Sequence, residues 1–222
     1  MKTLFLFPYF LIVLIASGEV PGIRLADKTL KVELLDSDKK EFFISQTMDL
    51  SGRLFVGCRE ALYVYEPTAD GGFGPRVELY RFPKDSWLYD LEVYGNDLFV
   101  LTNTALYRMR DAVTRRGKLK PEKLLWGNPQ GHFHQGLHGM EFGPTGDIFL
   151  SMGDPQPHMH WDRERPDHLW HWTFYVGPEN KEVSYTGVGA VLRYRLKDHS
   201  LTVHASGLRN SCGISFDPNW RL

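Results

Sequence analysis

Residues 132–155 read HFHQGLHGMEFGPTGDIFLSMGDP and set three histidines and five glycines around a tight turn between two apolar runs. Imidazoles titrate near neutrality and serve as general bases or metal ligands. Glycines let backbone approach a ligand closely. A hairpin built only for stability needs neither. His134 and His138 are the candidate bases, and a satisfied structural histidine at a strand start fits His138 as well. A second group follows in residues 154–181, DPQPHMHWDRERPDHLWHWTFYVGPENK. It holds His158, His160, His168 and His171 with Trp161, Trp170 and Trp172, beside Asp154, Asp162, Arg163, Arg165 and Asp167. Three readings stand for it. Tryptophan faces and Asp/Arg side chains would make a carbohydrate platform. His158 with His160, or His168 with His171, plus Asp162 or Asp167, would make a metal site, although His-x-His and His-x-x-His spacings are unspecific. Third, the segment is a lid that packs its tryptophans on the scaffold. Cys58 and Cys212 share no metal-type spacing.

The elements that position these residues repeat. SGRLFVG (51–57), GNDLFVL (95–101) and TGDIFLS (145–151) each join a turn to a compact apolar run, and each follows another apolar run. ALYVYE (61–66), ALYRMR (105–110) and AVLRYRL (190–196) supply a third strand, and RVELYRF (76–82) a fourth. CGISFDPNWRL opens a further copy. Four short strands every 45 residues or so predict an all-β fold, a β-propeller of about three blades plus the start of a fourth. A β-sandwich with accidental spacing is the alternative. In a propeller, residues before the first strand of a blade and after its second strand share one face near the axis. That face collects Cys58, Arg59 and Glu60, then Asp85, Ser86, Trp87, Thr102 and Asn103, then His134, Gln135, His138, Gly153 and Asp154, then Arg209 and Asn210. The insertion at about 155–188 is expected to rise from the same face. Placing the cysteines in the first and fourth blades predicts two free thiols, since a disulfide spans only about 4.4–6.8 Å between Cα atoms.

Net charge is −1, so no basic face for nucleic acid is expected. Lys2 followed by the apolar run Leu4–Ala16 and the small residues Ala16, Ser17 and Gly18 predict a secretory signal peptide over 1–18, hence an exported protein, periplasmic or extracellular. An uncleaved anchor is the alternative, but the run is shorter than the roughly 20 residues a bilayer needs. Residues 19–43 form an entry segment and 44–222 the partial propeller.

HGMEFGPTGDIFLSMGD, VGAVLRYRLKD and SGLRNSCGISFDPNWRL resemble the soluble quinoprotein glucose/sorbosone dehydrogenases, which are six-bladed propellers, and within them a branch of large exported proteins of planctomycete and verrucomicrobial type. The likeness runs over about residues 30–222. It implies oxidation of a sugar or polyol hydroxyl with hydride transfer to pyrroloquinoline quinone (PQQ). His134 or His138 would be the base, Arg209 and Asn210 would hold the cofactor, and Trp87, Asp154, Trp161 and Trp170 would meet the sugar. Ser211, Cys212, Gln135 and Asp85 depart from the family pattern. The resemblance puts the calcium ligands, the remaining quinone ligands and a haem or other electron-acceptor domain beyond Leu222, so this chain alone is expected to be an inactive fragment. A native short chain closing by oligomerisation is the alternative. A propeller that binds glycan or protein without catalysis is the competing function.

Overall fold

The structure is a computed structural model and describes residues 11–13, 33–38, 40–127, 136–153, 170–208 and 211–222. Every regular element among them is a β-strand. β1 (Leu11–Val13), inside the expected leader, pairs antiparallel with β2 (Glu33–Asp36) in the expected entry segment. The rest forms three antiparallel up-and-down sheets laid side by side.

The first sheet is β3 (Phe43–Met48), β4 (Leu54–Cys58), β5 (Ala61–Tyr65) and β6 (Val77–Arg81), in that order. The second begins with β7 (Leu88–Tyr94), β8 (Asp97–Thr102), β9 (Ala105–Met109) and β10 (Pro121–Gly127). The third is β11 (Leu137–Phe142), β12 (Ile148–Met152), β15 (Gly189–Arg195) and β16 (Ser200–Leu208). These are propeller blades, and the first strand of each packs toward the first strand of the next. β4, β5, β8 and β12 are buried at every position, because both their faces are covered, those of β4 and β5 by blade two on one side and by Leu35 and Phe73 on the other, whereas outer strand β6 is exposed at both ends. One apolar cluster built on Phe55, Leu62, Leu88 and Leu98 fills the space between blades one and two. A second, around Phe99, Leu125, Leu150 and Phe174, fills that between blades two and three.

Equivalent turns show that the copies repeat. Asp49 N donates to Arg53 O (3.0 Å), Gly143 N to Asp147 O (2.9 Å) and Asp217 N to Arg221 O (2.9 Å). The third position of the turn has positive φ in all three: Gly52 (86°), Gly146 (76°) and Trp220 (60°). Residues 211–222 therefore carry the inner segment and hairpin turn of a fourth blade.

The insertion departs from the expected loop. Its second half is a hairpin, β13 (Trp170–Val176) and β14 (Lys181–Gly187), which extends blade two through β10. Trp172 and Phe174 are buried in the core between blades two and three, at 4% and 0% exposure. Trp172, Phe174 and Val176 fall on alternate positions of WHWTFYV and are buried, as suits a strand with one face on a core, and Gly127 (φ 144°) lets β13 lie against the end of β10. Trp172 thus follows the lid reading, while residues 154–169 lie outside the described set.

Candidate functional site at the shared end of the blades

Backbone hydrogen bonds draw the starts of the inner strands and the turns after the second strands to one end of the molecule. Trp87 N donates to Arg59 O (2.7 Å), Leu137 N to Asn103 O (3.1 Å), Asn103 N to Ser86 O (3.3 Å) and Gly153 N to Gly136 O (3.0 Å). Gly136 has no room for a side chain, since a Cβ would stand 2.5 Å from Asn103 O.

The loop leading into β7 is held in unusual backbone. Asp85 and Trp87 have φ of 62° and 42°, conformations that cost a non-glycine residue energy. Several partners hold it there. Glu60 Oε1 accepts Asp85 N (3.1 Å), and Asn103 Nδ2 donates to Asp85 O (3.4 Å). Arg59 Nη2 donates to Asp85 Oδ1 at 2.6 Å, both side chains being 49% exposed. The Arg59 guanidinium lies 4.7 Å over the Trp87 ring, and Phe42 meets that ring edge-on at 5.8 Å. Trp87, an expected sugar contact, is therefore at the rim and partly exposed. Arg59 was placed on this face by the repeat but given no role. Its signal was the alignment of Arg59 with Asn103, each following the second strand of its blade.

Below the rim, each inner strand carries a β-bulge at the same place. The ladders skip a residue between Phe43 and Ser45, between Leu88 and Asp90, and between Leu137 and Gly139. The skipped residues are Ile44, Tyr89 and His138, and counting back from the shared turn puts Cys212 at the same level in the fourth copy. Bulges re-aim side chains and recur near functional sites. Here they bring the Tyr89 and His138 rings together edge-to-face at 5.3 Å. His138, one of the two candidate bases, is only 5% exposed. Burial, then the nearby Cys212, pushes the Tyr89 hydroxyl up.

Position for position, the residue after the bulge ties each blade to the next. Ser45 Oγ donates to Leu88 O (2.6 Å), and Asp90 Oδ2 accepts Met140 N (2.7 Å). Gly139 at this place lies close to Cys212 O and Gly213. Burial pushes the Asp90 carboxyl up to about 6, against the lowering effect of the Met140 and Leu91 amides. Glu92, one turn of the pleat farther along the strand, is pushed up to about 7 by burial and then by the acids Glu141 and Asp90. Burial also raises Glu141. The repeat pattern did not single out these acids, because alternating Asp and Glu on an inner strand reads as an ordinary solvated face.

Cys58 is fully buried on β4 rather than open at the rim, and burial, then Glu41, pushes its thiol up to about 12. Cys212 is exposed, and no disulfide joins the two. No group of three or more His, Cys, Asp or Glu among the described residues could hold a metal ion. His134, Asp154, Trp161, Arg209 and Asn210 lie outside the described residues, and for Trp170 only its backbone place at the start of β13 is described.

No family model matches the sequence, and no curated protein matches it. Two crystal structures of virginiamycin B lyase from Staphylococcus aureus are similar in fold. The selenomethionine-substituted enzyme is 14% identical over 74% of this chain and 56% of its own, with a TM-score of 0.39. A catalytically inactive variant with quinupristin is 11% identical over 80% of this chain and 74% of its own, with a TM-score of 0.38. This chain thus spans little more than half the length of the first.

Proposed function

We propose that this chain is an exported carbohydrate-binding propeller of the glucose/sorbosone dehydrogenase-like kind, whose ligand sits at the shared end of the blades beside Arg59, Asp85 and Trp87. The observation that supports this best is the loop 83–87. It spends backbone energy at two positions to keep Trp87 at the rim instead of in the core, and a strained, partly exposed aromatic on a rigid scaffold suits a ligand surface. The arginine, carboxylates and amide around it suit sugar hydroxyls. Calorimetric titration of the chain with a panel of neutral and acidic monosaccharides tests this. Binding should appear and should weaken at least tenfold in Trp87→Ala, and the absence of binding by every saccharide would overturn the reading.

The second reading keeps the oxidoreductase activity. What favours it is the aligned bulge, which turns His138 out of its ladder. The described residues below the rim do not fit the quinone. His138 is buried against Tyr89, and the acids Asp90, Glu92 and Glu141 at the joint of β7 and β11 offer an anionic cofactor no cation. No step through the quinone follows from them. Dye reduction on adding PQQ, calcium and an aldose to this chain would replace the binding reading with the catalytic one. Binding without dye reduction is the expected result. Cleavage after Gly18 is tested by the mass of the exported product.

A further inference from the structure

We infer that Arg59 makes the rim selective for a saccharide bearing a carboxylate, and that Trp87 serves chiefly as the plate on which this guanidinium is held. The inference rests on the carbohydrate-binding reading and adds the class of sugar.

Its basis is the hydrogen-bond inventory of Arg59. A guanidinium has five N–H donors in a planar fork. Among the described residues, Arg59 makes one side-chain hydrogen bond, Nη2 to Asp85 Oδ1 at 2.6 Å. Among the described residues, Nε and Nη1 donate to no group, and the side chain is half exposed. The guanidinium carbon lies 4.7 Å over the indole, which with the bond to Asp85 restrains the fork, and Phe42 braces the indole from its edge. A fixed planar fork with open donors is matched best by a carboxylate, which takes two parallel N–H bonds. The stack also occupies Trp87 itself. A neutral sugar laid on that indole face would have to displace the guanidinium, whereas an acidic sugar reaches it with both in place.

Asp85 sets the strength of the site. Its carboxylate bonds the fork through a single contact in a solvent-exposed pair, and such pairs hold weakly. It therefore acts as a competing anion that an incoming carboxylate partly displaces. The loop does not depend on the Arg59 side chain, because the backbone carbonyl of Arg59 accepts Trp87 N, and Glu60 and Asn103 hold Asp85 through its backbone. Substitutions at Arg59 should leave the fold intact, which a thermal melt verifies.

The experiment is calorimetric titration of the full chain with glucuronate, glucose and acetate. Glucuronate is expected to bind at least tenfold more tightly than either of the others. Arg59→Gln should bring glucuronate to the level of glucose. Asp85→Asn should tighten glucuronate binding about threefold. Equal affinities for glucuronate and glucose would overturn the inference while leaving the carbohydrate-binding reading in place. So would a preference that survives Arg59→Gln. Acetate binding as tightly as glucuronate would show a bare carboxylate site and overturn the saccharide part. If no saccharide binds, the carbohydrate reading itself fails.

Discussion

At the scale of residues, Arg53 shows how the repeat can change chemistry and keep geometry. Its place is taken by Asp97 and Asp147 in the next two blades, where each carboxylate accepts from an arginine of the third strand, Arg108 (2.6 Å) and Arg193 (2.7 Å). In blade one the sign is reversed. Arg53 is 1% exposed and donates to Ala112 O (2.6 Å) and Val113 O (2.9 Å) of blade two and to Glu66 (3.0 Å). Arg53→Ala leaves the buried Ala112 carbonyl without its donor and the buried Asp49 carboxylate without its cation, and should cost about 3–5 kcal/mol. Glu66→Gln, at a carboxylate 38% exposed, should cost about 1 kcal/mol or less. Urea midpoints at unchanged m-value check both. Glu92 carries the pH dependence. Burial pushes its carboxyl up to about 7 in the folded chain from an ordinary 4.5, and that of Asp90 up to about 6 from 3.8. Through that window the folded chain keeps protons that the unfolded chain releases, so these two groups make stability fall as pH rises from about 4 to 7. Glu92→Gln removes its share. Melting curves should show the variant equal to the parent near pH 4.5 and more stable at pH 7.5, by roughly 1–2 kcal/mol. Parallel pH profiles would refute this assignment.

At the scale of elements, the hairpin of β13 and β14 adds two strands to a blade that already has four. Its seam is short, with Leu125 facing Val176, Trp126 facing Tyr175 and Gly127 facing Phe174. Yet the hairpin brings Trp172 and Phe174 into the core between blades two and three, so its loss exposes that core. Gly127 is the point of closest approach. A Cβ there would stand 2.2 Å from Thr173 O and 2.8 Å from Phe174 Cα, both backbone, which cannot swing aside. Gly127→Ala should therefore part β10 from β13 and cost about 2–3 kcal/mol. Hydrogen exchange should show amide protection lost over residues 170–187 while β7 to β9 stay protected. Gly117→Ala is the control. Its φ of 84° matches a strained site, but nothing lies within 4 Å of the new Cβ, so it should cost only the backbone preference of about 1–2 kcal/mol. The hairpin was hidden in the sequence because its histidines and tryptophans read as a ligand loop. WHWTFYV has strand character, but periodicity does not say which blade it joins.

At the scale of the whole molecule, the blade architecture was legible because every copy repeats a turn and a buried run. Those features are local and survive in a single sequence. The site was less legible. Trp87 and His138 were found from their place in the repeat, but the pairing of Arg59 with Asp85 and the contact of Tyr89 with His138 arise only when two blades meet. No spacing within one blade encodes them. The same geometry governs stability. Each blade packs on the blades beside it in sequence, so the interfaces should behave as nearly independent steps, as in other repeat proteins. Joint one is tight at Gly57, where a Cβ would meet Ser45 Oγ at 2.5 Å and Leu88 Cβ at 2.9 Å. Joint three is looser at Gly139, whose Cβ would meet Ser151 Oγ at 3.1 Å and Cys212 O at 3.2 Å. Gly57→Ala should cost about 2–3 kcal/mol and Gly139→Ala about 1 kcal/mol or less. Because blade two separates them, the double variant should lose their sum to within about 0.5 kcal/mol. A double-mutant cycle by urea denaturation reads this directly. A coupling well above that margin would mean that the first and third joints share contacts, which an arc of blades does not allow.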